Sequence, residues 1–510
     1  MSSALGLLAN AAEIGFAFLV SAAAFAIYRH KGQTLAEAGS YGLLTMLMVQ
    51  SWLAQVLLYV GVQHLLFWAQ ILLLLGAAGI IGRHGRLLRR QLPLLLQFAK
   101  THWLAAGSIL LGCTYLAGIW WFRAGITHQT LHPYGAGFLN CSGSILTAQP
   151  PEPQQILTVL NHAILLASWQ SAAAPVIANL GAYICIGLAT YALARRYAWS
   201  PTSITVALLV ISMPRLAHQS LVVYSELLPA AAALTAILAL YRAVEQPQAW
   251  DMTMLAAAIA FSVGGGRLCY VLPLVLAAMS LLVLARRHDM RLLMQAVRGR
   301  PLPLLASTAM ILVFSQVAVI AANLYAGRPW IGELAPDAIR FNADGLVGAG
   351  ANMMRYLLQS IYLPKFIDNM TRWAFGFSGL AGLKLFYQWA VASVVDGKGA
   401  AAAFELSWNT GLGGGWFGPV GFVLVLPALG KSLWRGPSRL KTTAQAMAVY
   451  WVLISLIAAW QPTNVRLMTA FFVCSGFCMA FFLPPWHLGR KGRLILQLFG
   501  VLMLVVDMLQ

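Results

Sequence analysis

The sequence predicts an all-α, polytopic membrane protein with about fourteen transmembrane helices, and three observations carry that reading. Of the 510 residues, 60% are hydrophobic and 9% charged, which leaves too little polar surface to cover a water-soluble globule. The apolar residues gather into runs of roughly 20, the length that crosses a hydrocarbon layer. The basic residues collect at the ends of these runs, mostly on one side, as Lys and Arg do when they stay cytoplasmic. The formal charge of +19 therefore reports topology, and nucleic-acid binding is excluded.

In order, the runs are 3–28, 41–61, 63–82, 103–122, 174–194, 201–217, 219–241, 252–265, 268–285, 303–325, 415–433, 443–460, 465–483 and 491–508. No basic segment leads the first run and Arg29-His30-Lys31 follows it, so it reads as an uncleaved span with its N-terminus outside, a removed signal peptide being the weaker reading. Alternating the sides places Arg83, Arg86, Arg89, Arg90, Arg195, Arg196, Arg242, Arg286, Arg287 and Arg490 inside and both termini on the non-cytoplasmic side. The expected location is a bacterial-type inner membrane. The six Cys fall mostly inside apolar runs, where a thiol behaves as a small hydrophobe; no disulfide framework is expected.

Two large segments then lie outside, 123–173 and 326–414. The second is expected to carry in-plane helices at about 346–373 and 381–394, with Arg355, Lys365 and Arg372 facing water. Trp330, Trp373, Tyr387, Trp389, Trp408 and Trp416 read best as an interfacial aromatic belt, although aromatics also stack on sugars. The inner loops are short, which points the chemistry to the outer face.

The runs 252–265 and 268–285 are joined at Gly264-Gly265-Gly266-Arg267-Leu268. Thirty-four residues must go out and return, so each arm reaches about 25 Å and Arg267 falls at the membrane boundary. A charge there calls for a partner or an anionic ligand. Arg215 ends one outward span, Glu226 lies about two turns into the next and Arg466 opens another, so these four residues are expected at one depth. Arg267 and Arg466 suit a phosphate, because the guanidinium fork matches its oxygens; snorkelling, or pairing with Glu226 or a loop carboxylate, is the plainer role. Glu226 could contact substrate, or pair with Arg215 or Arg267.

His128 and His132 are four residues apart, but Pro133 and the surrounding glycines argue for a loop, so neither a metal site nor any other cofactor is expected. Either could act as a general base, or simply be a hydrogen-bonded loop histidine. Cys474 and Cys478 read as packing residues.

Several local patterns resemble the GT-C superfamily of integral-membrane glycosyltransferases, the group of protein O-mannosyltransferases and aminoarabinose transferases. They are the helical tail Ile156 to Trp169 and the run from Ile184 to Arg196, Ser212-Met213-Pro214 followed by Tyr224-Ser225-Glu226, Gly264 to Tyr270 with Arg267, Gly415-Trp416-Phe417-Gly418-Pro419, and Trp460-Gln461-Pro462 with Arg466. The resemblance covers 103–485, leaving 1–102 as additional N-terminal helices and 486–510 as a C-terminal helix. It implies transfer of a sugar from a polyprenyl-phosphate carrier to an outer-face acceptor, with membrane lipids as partners and Arg215, Glu226, Arg267 and Arg466 around the lipid phosphate. In the family a base, usually an acid early in the first outer loop, deprotonates the acceptor. Here the only acid between Arg123 and Ala173 is Glu152, far from the start. His128 or His132 takes over, Asp337 or Asp344 reaches in from the second loop, or the fold persists as a catalytically inactive subunit that binds lipid and scaffolds a larger membrane complex. A transporter is the third reading; the halves show no internal repeat, and a scarcity of buried acids argues against an ion-coupled pump.

Overall fold

The computed structural model describes residues 3–60, 62–103, 174–221, 226–263, 270–285, 301–314, 340–361, 365–401, 417–484 and 489–509, with isolated positions 107, 317, 324, 327 and 404. Among them there is no β-strand, only two single bridge pairs, Phe341 with Ala458 and Ala400 with Trp460. The protein is a helical membrane protein.

The helices, in chain order, are α1 (Ser3–His30), α2 (Leu35–Val60), α3 (Leu66–Thr101), α4 (Ala174–Ala194), α5 (Ser200–Ile211), α6 (Pro214–Leu221), α7 (Leu227–Glu245), α8 (Ala249–Ser262), α9 (Val271–Leu284) and α10 (Pro301–Phe314). They continue with α11 (Gly345–Ser360), α12 (Lys365–Phe375), α13 (Gly379–Phe386), α14 (Leu426–Arg435), α15 (Ser438–Ile457), α16 (Met468–Gly476), α17 (Met479–Phe482) and α18 (Arg490–Leu509), leaving aside four-residue Ala392–Val395. Among the described residues five helices are long and apolar enough to cross a membrane, six if the bent pair α5–α6 counts as one span.

The difference from about fourteen has identifiable sources. The run 465–483 is broken into a tight turn, Pro462–Leu467, then α16 and α17. α8 and α9 have 14 residues each, about 21 Å against a hydrocarbon layer of about 30 Å. In place of the expected in-plane helix 346–373 there are two helices, α11 ending at Ser360 and α12 beginning at Lys365. Most of 103–122, all of 123–173 and parts of 303–325 and 326–414 lie outside the described residues.

The chain divides into two compact units, Met1–Leu193 with Gln219–Glu333, and Ala194–His218 with Leu334–Gln510. In the first unit α7 is the centre. It is apolar on every side and almost wholly buried, the pattern of a helix surrounded by others, and its alanines at 230–233, 236, 239 and 243 let neighbours approach closely. Ser40 Oγ joins Cys185 Sγ at 3.3 Å and Thr235 Oγ1 at 3.2 Å, linking α2, α4 and α7 through small polar groups. α3 packs on α1 with most of its surface exposed.

In the second unit α5 and α18 run parallel. Gln497 Nε2 donates to Thr205 Oγ1 at 2.9 Å, and Gly500 lies against Leu208 and Ser212. α16 is buried along its whole length and includes Cys474. Cys478 is buried beside it, in the packing role expected of both.

Candidate functional site

The break between α5 and α6 follows from Ser212-Met213-Pro214. Pro214 has no N–H to continue the ladder and suits the first turn of a new helix. Ser212 closes α5 by bonding back, N–H to Leu208 O at 2.9 Å and Oγ to Leu209 O at 2.9 Å. The two helices meet at 67°. Arg215 follows the bend at 4% exposure. Gly418 has φ of +66°, and a Cβ there would stand 3.0 Å from Pro214 Cδ, so the Gly418-Pro419 motif is demanded by this close approach. Phe417 beside it is fully buried and stacks on Phe472 at 4.0 Å between ring centroids.

Trp460-Gln461-Pro462 is equally well explained by its surroundings. Trp460 is fully buried, its N–H donates to Gly399 O at 2.8 Å, and its carbonyl accepts from Ala401 N at 3.0 Å. Its ring meets Phe404 edge-on at 4.9 Å, and Phe404 meets Tyr387 at 4.8 Å. Pro462 opens the turn that carries Arg466, which is partly buried. Tyr450 Oη holds the end of that turn by donating to Leu467 O at 2.8 Å.

Beside this turn, still in the second unit, 340–401 forms a compact loop assembly. Its pivot is Arg355, 1% exposed, not facing water as its helical position suggests. Arg355 donates to Asn352 Oδ1 at 2.9 Å, to Lys398 O at 2.7 Å and to Val395 O. Asn352 Nδ2 in turn donates to Ser455 O at 3.2 Å and Ala458 O at 3.0 Å, fixing α11 to the end of α15. Burial lowers the Arg355 guanidinium from its usual range. Tyr387 is likewise buried rather than part of a belt; its hydroxyl donates to Asp396, and burial first, then this bond, pushes the phenol up to about 12. Arg372 is exposed as expected. Trp373 and Trp389 are 89% and 86% exposed, as interfacial residues would be.

Asp344 is exposed at the start of α11, and its carboxylate accepts the Gly399 N–H. Glu226 is buried in the first unit immediately before α7, not two turns into a span. Arg215 and Arg466 share the second unit. His128, His132, Arg267, Asp337, Glu152, Trp330, Trp408 and Trp416 lie outside the described residues.

The first unit holds a polar network that the reading of outer-face residues did not anticipate. Arg242, near the end of α7, and Glu37, in the first turn of α2, form a buried ion pair at 3.6 Å. Asp251 in the first turn of α8, fully buried, accepts from Tyr41 Oη at 3.1 Å and Gln33 Nε2 at 3.2 Å. Glu37 also accepts from Thr34 N at 2.9 Å. Arg29 donates to Gln33 O and, at 3.0 Å, to Gln91 Oε1, and the Lys31 ammonium lies over the Trp250 ring. The signal available in the sequence was an acid near an apolar run, at Glu37 and Asp251, each a short way from a basic residue. No protein-family model, curated protein or solved structure matches this chain.

Proposed function

We propose that this protein acts at the outer face of a bacterial-type inner membrane as a GT-C-like glycosyltransferase, taking a sugar from a polyprenyl-phosphate carrier and passing it to an acceptor. About fourteen spans with both termini outside complete the reading. The observation that carries it is the bent pair α5–α6, which sets a nearly buried guanidinium, Arg215, one residue past Pro214 and in the same unit as Arg466. A guanidinium at a membrane boundary is well matched to an anionic head group, because its fork pairs with phosphate oxygens. Arg267 and Glu226 are the other two residues that the family resemblance assigns to the lipid phosphate. The base comes from His128, His132, Asp337 or Asp344.

A specific observation favours a second reading, an inactive lipid-binding subunit that scaffolds a membrane complex. Each outer-loop carboxylate among the described residues already holds the loop together. Asp344 accepts from Gly399 N, Asp396 from Tyr387 Oη, and Asp368 from Ser378 Oγ and Leu380 N at 3.1 Å each.

Native mass spectrometry on protein released gently from its own membrane separates the two. Polyprenyl phosphate on a free monomer, lost in both Arg215→Ala and Arg466→Ala, supports the transferase. A fixed protein partner without that lipid supports the scaffold. Replacing His128 and His132 together by Ala is expected to abolish transfer; full transfer in that variant removes both from the mechanism.

A further inference from the structure

Glu13 stands in the middle of α1, fully buried, and neither carboxyl oxygen has a hydrogen-bond partner. It lies about 24 Å along the helix from Arg29, well inside the apolar layer. Two more buried side chains share this condition on the helices packed against α1. Gln50 of α2 leaves Nε2 without a partner, and Gln70 of α3 leaves both Oε1 and Nε2.

The helix registers bring these three to one level. Gly42 of α2 lies against Ser21 and Phe25 of α1, and the two helices are antiparallel, so Gln50 falls within about one turn of Glu13. The His30 and His84 rings meet at 5.1 Å, and α3 runs parallel to α1, which sets Gln70 within about one turn of Glu13 as well.

An ionised carboxyl in such a place is strongly disfavoured unless something neutralises it. Among the described residues neither of its oxygens meets a donor or a cation. At this level α2 presents Gln50, Ser51 and Trp52, and α3 presents Leu66 and Gln70. The nearest titratable residues on these two elements are Tyr59, toward the end of α2, and His64, exposed before α3. One carboxyl and two primary amides offer a single negative charge and up to four oxygens. Either amide can turn end for end to present oxygen to an ion or N–H to the carboxyl. A divalent ion would want more carboxylate than this.

We propose that Glu13, Gln50 and Gln70 form a binding site for one monovalent cation, a proton or an alkali-metal ion, within the apolar layer. The site belongs to the N-terminal helices that the glycosyltransferase resemblance does not cover, and it stands whether or not that reading holds. It also revises the expectation that buried acids are scarce, because Glu13, Glu37 and Asp251 are all buried in this unit.

Dicyclohexylcarbodiimide tests the proposal on the whole protein in membranes. The reagent takes the proton of a carboxylic acid in an apolar setting, the carboxylate adds to its central carbon, and rearrangement leaves a stable N-acylurea heavier by one reagent molecule. Peptide mass spectrometry is expected to find that adduct on Glu13 and to lose it in Glu13→Gln. If the occupant is a proton, labelling slows by up to about tenfold per pH unit once the carboxyl ionises, equally in sodium and choline chloride. If it is an alkali ion, sodium chloride protects Glu13 and choline chloride does not. Absence of the adduct at every pH, or a labelling rate indifferent to both pH and sodium, overturns the proposal. The wild-type labelling decides the question even if Glu13→Gln fails to fold.

Discussion

Two buried arginines, one in each unit, show two ways of keeping a guanidinium out of water. Arg242 of the first unit is matched by a charge, the Glu37 carboxylate at 3.6 Å, with Asp251 close by in the same network. Arg355 of the second unit is matched by dipoles, two backbone carbonyls and the Asn352 amide oxygen. A charge pair must be removed as a pair, because either partner alone is an uncompensated buried ion. In the dipole cage the direct partners are neutral, and the Asp396 carboxylate that also acts on Arg355 is already held by Tyr387 Oη, so deleting the arginine leaves chiefly neutral carbonyls unsatisfied. The first arrangement ties together helices distant in sequence. The second fastens a loop assembly onto the end of one helix.

The largest expected effect therefore falls on the first unit. Glu37→Ala should cost about 3–5 kcal/mol by stranding Arg242, read as a fall in thermal unfolding temperature in detergent. Adding Arg242→Met should recover part of that loss; a double variant as unstable as the sum of the singles would show that the pair is not coupled. Next comes Arg355→Met, expected to cost about 1.5–3 kcal/mol and to open the 396–401 stretch to limited proteolysis. Should this loss match that of Glu37→Ala, the distinction between charge and dipole matching collapses.

Gly399→Ala probes the same cage from its far side. Gly399 has φ of +64°, and a Cβ there would stand 2.7 Å from Gly348 Cα, so about 1–2 kcal/mol is expected from the left-handed backbone alone. An unchanged unfolding temperature would mean that the 397–401 turn is not held as described. The smallest effect is that of Tyr387→Phe, about 0.5–1.5 kcal/mol for one hydrogen bond to Asp396. Because the folded phenol titrates at about 12 against an ordinary 10, its stabilisation is complete below pH 10 and is lost as pH rises toward 12. Alkaline unfolding curves of wild type and Tyr387→Phe should converge across that window. Curves that stay parallel through pH 12 would remove the Tyr387 hydroxyl from the loop assembly.

Helical membrane character and the short arms α8 and α9 were legible in the chain, because composition and run length act locally; the run 201–217 reads as one span, and the bend at Pro214 corrects it, because a missing N–H interrupts the helix even inside an apolar run. Gly418 could be seen as a motif residue, while its reason, the close approach of Pro214, could not. Arg355 was misplaced because helical periodicity shows which face a residue occupies but not what covers that face. Glu226 was set too deep because an apolar run does not show where a helix begins. The candidate phosphate residues were only partly legible: the residue types at Arg215 and Arg466 could be named, whereas the burial of Arg215 at the bend, where Gly418 closes on Pro214, could not.

The sequence by itself determined that this chain is a multi-helix membrane protein, since too few polar residues exist to cover it in water and its basic residues end its apolar runs. Only the tertiary structure decided which polar groups are buried, Glu37 with Arg242, Arg355 with the carbonyls of 395 and 398, and Glu13, Gln50 and Gln70 on packed neighbouring helices. The physical reason is that burial and electrostatic pairing depend on contacts between segments far apart in the chain, and no local pattern encodes them.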